Sequence, residues 1–203
     1  MKTLLFINCC IRKDKSRTLE LCNHYLCDFH SAMKEKGEEW LFRELALEDL
    51  NLKPMTSKEL ELRDKLLASG EHNHQMFNLA NEIIKADRII IGAPYWDLQF
   101  PALLKIYLER CSVTGITFIY NSKGIPAGQC KAEELTYITT SGSPIGDYNF
   151  GYEYIKGLSK LFGIRKTRFF SAEALDIIGN DVNAIMADAK EQISLEIKRS
   201  KDN

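Results

Sequence analysis

No charge of either sign dominates this chain: 27 lysines and arginines stand against 28 aspartates and glutamates, a net charge of −1 over 203 residues. Such a balance supplies no broad positive field for a phosphate backbone, so nucleic acid is not an expected partner. Glycine and proline are few, 12 and 5, which sets aside collagen-like and low-complexity readings. Long hydrophobic runs are missing as well. Four consecutive apolar residues, 4–7, precede Asn8, too few for a signal-peptide core. No stretch approaches the roughly 20 apolar residues of a membrane span. The expectation is a cytoplasmic protein with no membrane partner. The six cysteines (9, 10, 22, 27, 111 and 130) contain no pair of Cys-x-x-Cys units and no Cys/His spacing suited to zinc. Reduced thiols and no metal site are expected. His72 and His74 are two residues apart, on different faces of any helix, and read as a solvated helix start.

What is present is alternation. Residues 2–8 form a compact apolar run ending in polar residues, as in a strand buried on both faces. Residues 17–36 carry Leu19, Cys22, Leu26, Phe29 and Met33 at steps of three and four and stop at Gly37, the pattern of an amphipathic helix. A strand is expected at 39–45, beside the first. A capping box, Thr56 with Glu59, opens a charged helix to about Ser69, and a second helix follows at 74–85. Ile89, Ile90 and Ile91 mark a central strand at 87–92. Pro101 suits the first turn of a helix through Cys111. After a short insertion from Gly115 to Gly128 come a strand at 134–139, a helix at 150–162, a strand at 166–172 and a closing helix at 181–198. Five strands alternating with helices imply an α/β fold with a parallel sheet covered on both faces. The length, with neither repeat nor linker, predicts one domain over 1–203.

In open parallel sheets ligands bind outside the carboxyl ends of the strands, where strand order reverses. Three loops qualify: 9–18, 93–101 and 139–147. The first lacks both Gly-x-Gly-x-x-Gly and the Gly-Lys-Ser/Thr of a P-loop, which disfavours dinucleotide and ATP-type sites. It does place Ser16, Arg17 and Thr18 at the mouth of a helix, where amides and the helix dipole attract an anion. A monophosphate suits it; the alternative is that Ser16 only caps the helix. In the second loop Tyr95 and Trp96 follow a buried strand directly, either as a surface for a flat ligand or as ordinary packing.

Taken together these loops resemble the flavodoxin-like FMN oxidoreductases, above all the FMN-dependent NADH azoreductases and NAD(P)H quinone reductases. The likeness runs along nearly the whole chain. It is carried by Ser16-Arg17-Thr18, by residues 93–102 (Ala-Pro-Tyr-Trp-Asp-Leu-Gln-Phe-Pro-Ala) with Leu104-Lys105, by residues 115–120 (Gly-Ile-Thr-Phe-Ile-Tyr), and by Thr139-Thr140-Ser141-Gly142-Ser143. The resemblance implies a flavodoxin-like five-stranded sheet of order 2-1-3-4-5 and a homodimer with one FMN per subunit. It implies that Cys10, Ser16, Arg17 and Thr18 hold the phosphate, that Pro94, Tyr95, Trp96, Asp97 and Leu98 lie along the ring, and that Thr140, Ser141, Gly142 and Ser143 cover its pyrimidine edge. Amides there would stabilise negative charge on the reduced ring. Phe118 and Tyr120 are either pocket wall or packing within the insertion. The implied activity is ping-pong transfer of a hydride from NADH or NADPH to flavin and on to a small quinone, azo or nitro acceptor, with no side chain as an obligatory acid or base.

Two departures stand out. Cys9 and Cys10 occupy positions where the family has serine or another polar residue, and thiols are weaker donors. The family's Met-Tyr-Asn-Phe is Tyr95-Trp96-Asp97-Leu98 here, which puts a carboxylate near the ring. The neighbouring cysteines also raise thiol redox chemistry, although a bond between adjacent cysteines is strained. Arg12, Lys13 and Lys15 form a basic loop that is either solvated or in reach of a second phosphate. The rival functions are a flavodoxin-type electron carrier without NAD(P)H activity and a flavin-poor binding module.

Overall fold

The computed structural model describes residues 1–201; the last two residues of the expected domain lie outside the described residues. Seven strands and six helices follow in the order β1 (Lys2–Asn8), α1 (Arg17–Glu35), β2 (Trp40–Ala46), α2 (Ser57–Ala68), α3 (Asn78–Ile83), β3 (Arg88–Gly92), α4 (Ala102–Cys111), β4 (Phe118–Tyr120), β5 (Pro126–Gly128), β6 (Glu134–Thr140), α5 (Phe150–Phe162), β7 (Lys166–Ala172) and α6 (Val182–Lys201). Five of the strands make a sheet of order β2-β1-β3-β6-β7, every pair parallel. This is the expected order 2-1-3-4-5, with helices on both faces.

Burial explains which strands lie where. All seven residues of β6 are buried, whereas β2 and β7 at the edges are largely exposed or half-buried. Strand alternation then sorts side chains between two cores. Leu5, Ile7, Ile89 and Ile91 face Leu104, Tyr107, Leu108 and Ile155 on one side. Leu4, Phe6 and Ile90 face Leu21, Phe29, Met186 and Ile193 on the other. Each fully buried isoleucine contributes about 2 kcal/mol by transfer from water. Tight helix termini reinforce the layers: Thr56 and Glu59 form the expected capping box, and Gly37 stands at φ 71° just after α1.

At the amino end of the sheet, the carboxylate of Glu134 is 3% exposed and meets Arg88 Nη1 at 2.8 Å, Arg168 Nε at 2.8 Å and Lys166 Nζ at 3.2 Å. Burial pushes its pKa up, but the three cations outweigh burial and hold it below the ordinary carboxylate range.

Two segments differ from expectation. The helix expected at 74–85 is a single 3-10 turn, Gln75–Phe77, followed by the short α3; His74 accepts from the Met76 amide at 3.2 Å and sets the turn. The insertion 115–128 contains the antiparallel hairpin β4-β5. A Cβ on Gly128 would come within 1.9 Å of the Phe162 carbonyl carbon, so only glycine lets this hairpin lie on the last turn of α5.

Candidate functional site

β1 and β3 end together, with Asn8 opposite Gly92, and β6, whose Ile138 lies opposite Gly92, runs two residues further to Thr140. The chain leaves β1 for β2 on one side and places β3 on the other, so strand order reverses between β1 and β3. The loops that leave these ends line an open cleft of about 140 Å³, bordered by Ser16, Arg17, Pro94, Tyr95, Trp96, Thr140, Ser141 and Gly142 together with Ile11, Arg12, Lys15, Leu175 and Asp176.

One end of the cleft is cationic. Ser16 caps α1, its hydroxyl accepting from the Leu19 amide at 3.2 Å, and so takes one of the amides that the first turn of a helix leaves without an intrahelical partner. Capping and anion binding are therefore compatible, because the turn begins where Arg12, Lys15 and Arg17 meet the cleft. Arg17 Nη1 lies 3.0 Å from Asp176 Oδ1, which ties α1 to the loop after β7.

The middle of the cleft has an aromatic wall. The Tyr95 amide donates to the Thr140 carbonyl at 3.0 Å, and the Tyr95 hydroxyl donates to the Tyr148 carbonyl at 3.1 Å. Desolvation holds the Tyr95 phenol above its ordinary pKa. Trp96 and Gln99 exchange backbone bonds of 3.2 and 2.8 Å across a two-residue turn. Its tip residues, Asp97 and Leu98, adopt φ of 47° and 70°. This is a mirror-type turn that favours Asn-Gly, and a non-glycine residue in such a conformation costs on the order of 1 kcal/mol.

The opposite side is polar and rigid. Thr140 and Thr18 share a 2.6 Å hydroxyl–hydroxyl bond, and the Ser141 hydroxyl donates to the Ser143 carbonyl at 2.5 Å. The Ser141 amide donates to the Ala172 carbonyl at 3.0 Å. Glu173 accepts from the Ile145 amide at 2.8 Å and from the Ser171 hydroxyl at 2.7 Å, so β7 fastens the loop after β6.

The cleft thus gathers eight of the residues singled out by sequence. Thr18 stands behind its wall, and Cys10 is buried within the loop 9–16, where its amide donates to Asn8 Oδ1 at 2.9 Å. Asp97, Leu98 and Ser143 are exposed beside the cleft rather than lining it. Phe118 is buried in the core and packs edge-on to the exposed Tyr120, centroids 5.7 Å apart; neither lines the cleft of its own subunit. Leu175 and Asp176 were not legible as site residues, although the loop after β7 also leaves a carboxyl end of the sheet. Arg12 and Lys15 reach the rim, where the sequence allowed a merely solvated loop.

A family model described as a flavodoxin-like fold matches residues 2–197. The chain is 30% identical over 201 residues to an FMN-dependent NADH:quinone oxidoreductase of Lachnoclostridium phytofermentans, covering 98% of this chain and 99% of that one. It is 29% identical over 184 residues to the protein of the same name from Coprothermobacter proteolyticus, covering 88% and 89%. Among solved structures, an FMN-dependent NADH-azoreductase from Bacillus anthracis in complex with FMN has the same fold, with a TM-score of 0.84 at 17% identity and coverage of 99% and 100%. The chain therefore belongs to the flavodoxin-like family that includes the FMN-dependent NADH:quinone oxidoreductases.

Proposed function

We propose that this chain is an FMN-dependent oxidoreductase that takes a hydride from NADH or NADPH and delivers it to a small quinone, azo or nitro acceptor. The observation that carries the reading is the composition of one cleft: three cations at a helix N-terminus, two aromatic side chains beyond them, and a polar wall of Thr140, Ser141 and Gly142 opposite. This donor set fits a phosphate monoester joined to a flat heterocycle. Bound FMN would supply the two-electron chemistry, leaving the protein to bind, orient and exclude water.

In this reading Ser16, Arg17 and the first amides of α1 hold the phosphate, with Arg12 and Lys15 adding positive charge at the rim. Thr18 and Cys10 act from beneath: Thr18 fixes Thr140, and Cys10 shapes the loop. Pro94, Tyr95 and Trp96 form the face for the ring, and Asp97 and Leu98 hold Trp96 in place through their strained turn. Thr140, Ser141, Gly142 and Ser143 flank the ring's polar edge. A single open cleft suits ping-pong use, in which the nicotinamide departs before the acceptor enters. The domain is taken to span the whole chain.

The loops around the cleft expose Trp96, Leu98, Tyr148, Phe150, Ile177 and Ile178, a grouping of apolar side chains that favours cover by a second copy in a homodimer. Because Tyr120 does not line its own cleft, a role for it at the acceptor site requires that second copy; Phe118 serves packing. Among the described residues no helix is long and apolar enough to cross a membrane, in keeping with a cytoplasmic assignment. Equilibrium titration of FMN fluorescence tests the reading. Saturable quenching at one FMN per chain supports it, and the absence of quenching opposes it.

A further inference from the structure

Cys9 and Cys10 leave β1 toward opposite faces of the sheet. Cys9 packs with Ile7, Ala93 and Leu104, where burial pushes its thiol up to about 12. Cys10 turns the other way, toward Cys22 of α1. Its sulfur lies 3.6 Å from the Gly92 carbonyl oxygen, while Cys22 Sγ presses on Gly92 so closely that a Cβ there would come within 2.5 Å of it. Both sulfurs therefore lie against the same residue, Gly92.

Their chemistry is unequal. The Cys22 thiol donates to the Cys10 sulfur and, helped by Ser16, holds Cys10 below the ordinary thiol range against its burial. Burial pushes Cys22 well above that range. Access is unequal too: Cys22 is fully buried, whereas Cys10 is 5% exposed and lines a groove of about 80 Å³ beside β2, together with Asn8, Lys13, Leu19 and Glu48. Of the two, Cys10 is therefore the sulfur with the lower thiol pKa and the one nearer the surface.

We propose that Cys10 and Cys22 are a peroxide-sensitive dithiol pair that closes to a disulfide beneath the cleft. The Cys10 thiolate attacks hydrogen peroxide: an S–O bond forms, the O–O bond breaks, and the departing hydroxide takes up the proton lost by Cys10 to leave as water. The Cys22 sulfur then displaces hydroxide from the Cys10 sulfenic acid, and the Cys22 proton leaves with it as a second water. Two thiols lose two electrons and one peroxide becomes two waters. Cys9 is no competitor, since it faces the other core. Closure to the roughly 2.05 Å of an S–S bond draws Cys10 from the Gly92 carbonyl and displaces the loop that carries Ser16 and Arg17. Resting on the flavin reading above, this coupling lowers FMN affinity about tenfold.

The test uses the full chain with the exposed Cys27 replaced (Cys27→Ser), reduced and then treated with one equivalent of hydrogen peroxide. Remaining thiols are alkylated after denaturation and the digest is mapped. The expected result is a cross-link between the peptides 3–12 and 18–34, with fragment ions that assign it to Cys10 and Cys22. In the further variant Cys22→Ser, Cys10 accumulates instead as a sulfenic acid trapped by dimedone. Alkylation of both sulfurs after peroxide, or a cross-link to Cys9, overturns the pair, and this arm needs no core substitution. FMN titration of the reduced and oxidised forms reads the coupling: equal affinity overturns it. If even the reduced form binds no FMN the flavin reading fails, while the cross-link map still decides the dithiol pair.

Discussion

The guanidinium of Arg17 stands 3.0 Å from the carboxylate of Asp176, so the residue best placed to meet a phosphate is already paired across the cleft. Both side chains are exposed, and such pairs contribute about 1 kcal/mol or less. A dianionic phosphate at the end of α1 can therefore outcompete Asp176 for Arg17.

Arg17→Ala is accordingly expected to weaken FMN binding about tenfold or more, since it removes a charge-assisted contact. Asp176→Asn frees Arg17 and is expected to tighten binding about threefold. Fluorescence titrations of both variants at low and high salt check this, and the difference between them should shrink as salt rises.

The Thr18–Thr140 bond fastens α1 to the cleft wall at 2.6 Å, with both hydroxyls buried. Thr140→Val strands the Thr18 hydroxyl and should cost about 1–3 kcal/mol of stability. Replacing both residues with valine should recover much of that loss. A double-mutant cycle by urea denaturation measures the coupling, and additive losses would refute it.

Glu134 predicts how stability varies with pH. Its carboxyl is held below the ordinary range in the folded chain, so the unfolded chain binds its proton more readily. The stabilisation is complete above the unfolded carboxylate value, about 4.3, and is lost as pH falls through the lower folded value. Glu134→Gln should flatten this acid limb of a thermal-denaturation series. At neutral pH it should destabilise the chain by about 3 kcal/mol, because Arg88 and Arg168 lose their shared partner.

Two glycines predict opposite signs. Gly128→Ala must force the β4-β5 hairpin away from Phe162, 1.9 Å from the new Cβ, and should cost more than about 2 kcal/mol. Gly157, inside α5, has nothing within 4 Å of such a Cβ. Gly157→Ala should raise stability by about 0.5–1 kcal/mol. Thermal melts of the two variants suffice.

The main architecture was legible because burial and local pattern agree along the sheet. Residues 2–8, 150–162 and 166–172 are strand, helix and strand to the residue, as their apolar spacing required. The hairpin was not legible, since Pro126 and Gly128 are poor strand formers and its stability comes from contact with α5. At the candidate site, the rule for parallel sheets pointed to three loops, and eight of the residues named from them line one cleft. Asp176 was missed because its relation to Arg17 spans 159 positions of sequence and leaves no local signal. The position of Cys10 beside Cys22 likewise depends on how α1 packs on Gly92.

Anaerobic titration of the FMN-reconstituted protein with NADH tests the central claim most directly. The account predicts that the oxidised-flavin absorbance bleaches at one equivalent of NADH per bound flavin and returns when a quinone is added. Retention of FMN with no bleaching by NADH or NADPH, but bleaching by dithionite, would contradict it and identify an electron carrier instead.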